Sequence, residues 1–273
     1  MLYSRDSPIS SYLEFLKFRK VADSDGMIDL KDRKWISSTG VVLLAYLKEE
    51  YGYNIVSSDT NNAMGYFDQM TNDPKWWTKE LKREMIHDRS YIPFSELPSE
   101  NTTFKILFEK VGELMRFYAP IGGETPFKYV LSELTDNIYD HSKFTKSFIM
   151  CQVYKTKQYV EFSLIDNGIS IPGNFEAHGI AFNDDSEAIE MAVNGESTKG
   201  DLERGTGLRS SLDIYCQGAK AEAMIVSRNG IYYRKSDKSY LANLDQDEGL
   251  IGTLISMRAP LRNYNIDIYK FLG

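Results

Sequence analysis

The chain has 273 residues, 42% of them hydrophobic and 26% charged, with 39 acidic against 32 basic side chains and a formal net charge of −7. That composition excludes a disordered or low-complexity chain and leaves room for one large or two modest domains. The acidic balance argues against broad electrostatic binding to nucleic acid, and two cysteines, Cys151 and Cys216, supply no disulfide framework and suit a reducing compartment.

The longest uninterrupted apolar stretch, Val41 to Leu47, is far short of the ~20 residues a spanning helix needs. The opening Met1-Leu-Tyr-Ser-Arg-Asp lacks the basic-then-apolar plan of a signal peptide. The expectation is a cytoplasmic protein with no membrane contact.

In chain order, Met27 to Leu30 reads as a short strand. Ser38 to Glu50 reads as a helix, with a polar start, an apolar body and a charged end. Tyr53 to Ser57 is a second strand and Asn61 to Met70 a second helix, so the N-terminal third suggests a βαβ unit. Lys75 to Met85 is a further helix. Two closely spaced prolines and a polar run make Pro93 to Thr103 a connector and divide the chain into domains 1–98 and 99–273.

Beyond the seam, Phe104 to Tyr118 and Thr125 to His141 have helical spacing, Pro126 standing where a first turn tolerates it. Ser147–Tyr154 and Tyr159–Ile165 alternate as a hairpin. Ser186 to Val193 and Gly207 to Cys216 read as helices. Strands follow at Ala221–Ser227 and Ile231–Arg234 across Asn229-Gly230, and a last one at Leu250–Met257 after a polar loop.

Three short segments carry chemistry. Glu133, Asn137 and His141 are spaced four apart and share one helix face, distinct from the face of Leu131, Leu134 and Ile138. A carboxylate beside an amide can orient a water and ligate a hard cation through oxygen. Asp166-Asn-Gly168 ends a strand, where the carboxylate can accept a hydrogen bond from an exocyclic amine and the glycine lets the backbone turn. Gly205-Thr206-Gly207-Leu208 opens a helix whose N–H groups suit phosphate. Each segment alone is weak; their order and structural contexts together point to a nucleotide site.

In that order the segments resemble the motifs of the GHKL ATPase superfamily, the group of gyrase, heat-shock chaperones, histidine kinases and MutL-type proteins, over roughly Phe104 to Pro260. The resemblance implies an α/β fold: a Bergerat-type two-layer α/β sandwich, with a mixed sheet and helices on one face. It implies ATP and Mg²⁺, with Glu133 as general base, Asn137 on the metal and Asp166 on the adenine amine beside Gly168. Gly205, Thr206, Gly207 and Leu208 would wrap the phosphates, His141 would belong to the ATP site, and Thr253 of Gly252-Thr253 would lie near the adenine. Ser170 stands where the second glycine of the Asp-x-Gly-x-Gly motif is expected. The segment between Gly168 and Gly205 resembles the mobile ATP lid, with Lys199 and Arg204 as cations for a γ-phosphate.

Trp35 to Gly40, opening an apolar helix, is similar to the STAS fold of anti-sigma-factor antagonists. Ser38 and Thr39 would there be helix caps or a phosphorylation site. His87 to Pro93 departs from the phospho-accepting box of sensor kinases, because its proline comes one residue too late, and His178 has no partner motif. The expected function is a slow, Mg²⁺-dependent ATPase whose nucleotide state changes domain or partner interactions. The alternatives are an anti-sigma-type serine/threonine kinase and a non-catalytic nucleotide sensor. A protein partner of unknown identity is implied; a homodimer is open, since no heptad run marks a seam.

Overall fold

The computed structural model describes residues 7–22, 26–59, 62–75, 90–98, 108–109, 112, 124–196, 207–261 and 266–272. Its frame is a seven-stranded sheet. In chain order the strands are β3 (Tyr91–Glu96), β4 (Ser147–Tyr154), β5 (Tyr159–Asp166), β6 (Glu222–Arg228), β7 (Gly230–Lys235), β8 (Lys238–Asn243) and β9 (Leu250–Pro260). Their order across the sheet is β3-β4-β5-β9-β6-β7-β8, and every neighbouring pair is antiparallel. The expected α/β class holds, but the sheet is not mixed.

The inner strands are buried on both faces, and a sheet of that kind must be covered twice. Val160, Phe162 and Leu164 of β5 join a core with α4 (Glu124–Asn137), α6 (Asp185–Val193) and α7 (Gly207–Leu212). Met150, Ile165, Met224 and Leu254 point the other way, into a second core with α1 (Pro8–Ala22), α2 (Ser38–Tyr51) and α3 (Asn62–Thr71). The described helices after residue 124 thus cover one face of the sheet, and the N-terminal helices cover the other. Hairpin alternation had disguised strands whose two sides are both buried.

The N-terminal helices belong to the second cover. Strands β1 (Met27–Asp29) and β2 (Asn54–Val56) pair in parallel around α2, as a βαβ unit requires. Ser37, not Ser38 or Thr39, caps α2 by accepting from the Gly40 N–H, and Gly52 ends the helix in the left-handed region at φ 72°. Residues 41–47 are all buried because α2 lies between the other helices and the sheet.

The connector reading of Pro93 is corrected for its first part. Tyr91–Glu96 is the edge strand β3, where a proline is tolerated and a register shift falls between Ile92 and Ser95. The polar loop before β9 contains the edge strand β8, mostly exposed and so lacking alternation. Two helices, α1 and α5 (Ile171–Ala177), had no counterpart among the expected elements. The expected helix at Lys75–Met85 lies, beyond Lys75, outside the described residues, as does nearly all of Phe104–Tyr118. Among the described residues no helix is long and apolar enough to cross a membrane.

Candidate functional site

The site lies at one end of the sheet, on the face covered by α4. Asp166 is the last residue of β5 and stands opposite Thr253 of β9 in the antiparallel ladder. Thr253 reaches that register through an irregularity in β9: Ser227 pairs with Thr253 while Arg228 pairs with Leu250. Gly252 occupies the extra length at φ 79°, and a Cβ there would collide with the Asp166 carbonyl. The Gly252-Thr253 pair is thus a bulge that sets a threonine beside a buried carboxylate.

Below Asp166 the backbone turns at Gly168, whose N–H donates to Asp166 Oδ1 at 2.8 Å. Ile169 N–H then donates to the Ser142 carbonyl at 2.7 Å, and a Cβ on Gly168 would strike that carbonyl. Asp166 is only 2% exposed. Burial pushes its carboxyl up to about 7, against the opposing Gly168 N–H, Ser142 and the Thr253 backbone.

Asn137 ends α4, and the chain continues as a π-helical turn, Ile138–Ser142, that presents His141. Asn137, His141, Asp166, Leu208 and Thr253 line one open pocket, which encloses about 880 Å³ with its mouth included. Leu134, Ile138, Leu164, Ile171, Phe175 and Ile255 supply apolar wall.

Glu133 is not part of that wall. It is half-buried on α4 with its carboxylate against Gly207, where a Cβ would collide with it. Burial raises its pKa, Asp136 adds to the rise, and Tyr129 opposes it. Lys199, Arg204, Gly205 and Thr206 lie outside the described residues.

Ser170 sits at φ 71°, ψ 165°, a conformation natural to glycine. Its hydroxyl caps α5 by accepting from the Gly173 N–H at 3.1 Å. Helix α5 contributes Ile171, Asn174 and Phe175 to the pocket, none of them anticipated from sequence. Pro172, in the first turn of α5 two residues after Ser170, is the signal that was there to be read.

Among the described residues no group of three or more His, Cys, Asp or Glu side chains converges as for a metal held by protein alone. Asn137 brings a side-chain amide to the pocket wall. Ser38 and Thr39 are fully buried on the opposite face of the sheet, hydrogen-bonded to Glu161. Both the phosphorylation and the capping expectations for them are thereby corrected. Cys151 and Cys216 are buried thiols that form no disulfide.

Comparison of the chain with protein-family models, with curated proteins and with solved structures finds no match in any of the three.

Proposed function

We propose that the pocket takes an adenine nucleotide with Mg²⁺, as in a GHKL-like ATP-binding fold, and that the N-terminal cover is a STAS-like unit. The observation that carries this reading is the shared cavity of Asn137, Asp166, Leu208 and Thr253, drawn from four separate segments of the chain. A buried acceptor between apolar walls would select a base with an exocyclic amine, and the Asn137 amide on the same pocket wall would offer an oxygen to a phosphate-bound cation. Slow hydrolysis would use Glu133, whose raised pKa leaves it a stronger base than an exposed carboxylate.

A second reading, a nucleotide sensor without turnover, is favoured by the Glu133 carboxylate lying against Gly207 instead of lining the pocket. A kinase of the anti-sigma type would need its hydroxyl substrate on another molecule, because Ser38 and Thr39 are sealed behind the sheet.

Calorimetry with Mg-ATP tests the reading: wild type binds, Asp166→Ala does not. Glu133→Ala keeps binding and loses phosphate release if the protein is an ATPase. Wild type that binds but releases no phosphate over hours is the sensor, and absence of binding overturns the proposal.

A further inference from the structure

We infer that the C-terminal half of α2 positions the nucleotide site from behind the sheet, so that Tyr46, Glu50 and Asn167 are positioning residues for Asp166 and Thr253. This inference rests on the nucleotide reading for what the site binds, but its geometry is independent of it.

Two strand ends form the polar floor of the pocket, and α2 is tied to both. At the start of β9, the Tyr46 hydroxyl donates to the Ile251 carbonyl at 3.0 Å, two residues before Thr253. Beyond the end of β5, Asn167 Nδ2 donates to Glu50 Oε1 at 3.1 Å, one residue after Asp166. Lys146 closes the cluster, with Nζ donating to the Glu49 carbonyl at 2.6 Å and lying 3.7 Å from Glu50 Oε2.

Asn167 is the joint. Its Oδ1 accepts from the N–H groups of Thr145 and Lys146 at 3.0 and 2.8 Å, and its Nδ2 also reaches Thr145 Oγ1 at 2.8 Å. Its own N–H donates to the Lys146 carbonyl at 3.1 Å. One side chain therefore fixes the loop before β4, the Asp166–Gly168 turn and the end of α2 relative to one another. The two strand ends touch where Gly252 meets Asp166 and Asn167, so a shift at either end moves the other.

The functional consequence is linkage. A nucleotide that needs Asp166 and Thr253 in register binds more tightly when α2 is docked, and its binding in turn holds α2 in place. None of Tyr46, Glu50 and Asn167 lines the pocket, so they act on binding without touching the ligand, and Glu50→Gln separates position from charge.

The test uses the full chain. Glu50→Ala and Tyr46→Phe are each expected to weaken Mg-ATP binding in calorimetry by roughly three- to tenfold. Glu50→Gln, which keeps an acceptor for Asn167, is expected to recover most of the loss. Tyr12→Phe removes a comparable α1 hydrogen bond, to the Glu248 carbonyl at 3.0 Å, away from the pocket, and is expected to leave affinity unchanged. Hydrogen exchange of the unliganded protein reads the same point without nucleotide: the Asn167 and Gly168 amides are expected to exchange faster in Glu50→Ala. If wild type binds no ATP, the nucleotide reading fails and exchange alone decides the positioning role. Unchanged exchange at those amides, or equal affinity losses in Tyr12→Phe and the α2 variants, overturns the inference.

Discussion

Glu161, on the inner strand β5, accepts two hydrogen bonds from Thr39 at the start of α2, one from its N–H and one from its hydroxyl, each at 2.8 Å. The Ser38 hydroxyl adds a third at 2.6 Å, and the other carboxylate oxygen takes Arg258 Nε at 2.7 Å. Glu161 is fully buried, so its charge depends on these partners for all the solvation that water would have supplied. This polar layer holds the N-terminal helices against the sheet.

Glu161→Ala removes the carboxylate and strands the Arg258 guanidinium together with the donors of α2. The expected cost is about 3–5 kcal/mol in urea unfolding. Arg258→Met is expected to cost less, because Glu161 keeps Ser38 and Thr39. Equal losses in the two variants would show that the layer works through the Glu161–Arg258 pair alone.

Much of this arrangement was legible in the sequence, and the failures share a cause. The elements that were read correctly have a one-sided or well-punctuated pattern: α2 with its apolar body, α6 after Asp184, the hairpin around Asn229. Asn137 and Asp166 do share a pocket, as their motif order suggested. What was missed depends on partners distant in the chain. Ser38 and Thr39 read as cap or substrate residues because nothing local reveals Glu161, which lies beyond residue 160. β3 read as a connector because its proline is harmless only at a sheet edge. α5 is short, and the serine that starts it occupies a glycine conformation.

Ser170→Gly sets two known effects against each other. The backbone at φ 71°, ψ 165° costs serine on the order of 1–3 kcal/mol, and glycine removes that cost. Replacing a capping serine by glycine loses only a few tenths of a kcal/mol (roughly 0.3). The strain is the larger, so Ser170→Gly is expected to stabilise by about 1 kcal/mol in denaturant unfolding. Ser170→Ala keeps the strain, loses the cap and is expected to destabilise by about 1 kcal/mol.

Gly252→Ala places a methyl group on the Asp166 carbonyl and also disfavours the backbone at φ 79°. Because the obstacle is main chain, no side chain can move aside, and β5 and β9 must separate at the pocket floor. Destabilisation of more than about 2 kcal/mol is expected. The Asp166–Gly168 amides should lose protection in hydrogen exchange more than amides of β6 and β7. A uniform loss of protection would mean that the bulge serves the whole sheet and not the site.

Asp166 makes stability depend on pH in a definite direction. Its carboxyl titrates near 3.8 in the unfolded chain and, through burial above all, at about 7 in the folded one. Between those values the unfolded state holds fewer protons, so stability falls as pH rises, at up to about 1.4 kcal/mol per pH unit, and levels off above the folded value. Asp166→Asn cannot ionise and escapes this loss. Relative to wild type, its melting temperature should be similar at pH 4 and clearly higher at pH 8. A constant difference across that range would place the carboxyl's titration near its ordinary value. Nucleotide affinity should run the opposite way, since an amine donor favours the ionised carboxylate: wild type should bind Mg-ATP more tightly at pH 8 than at pH 6, and Asp166→Asn should lose that dependence.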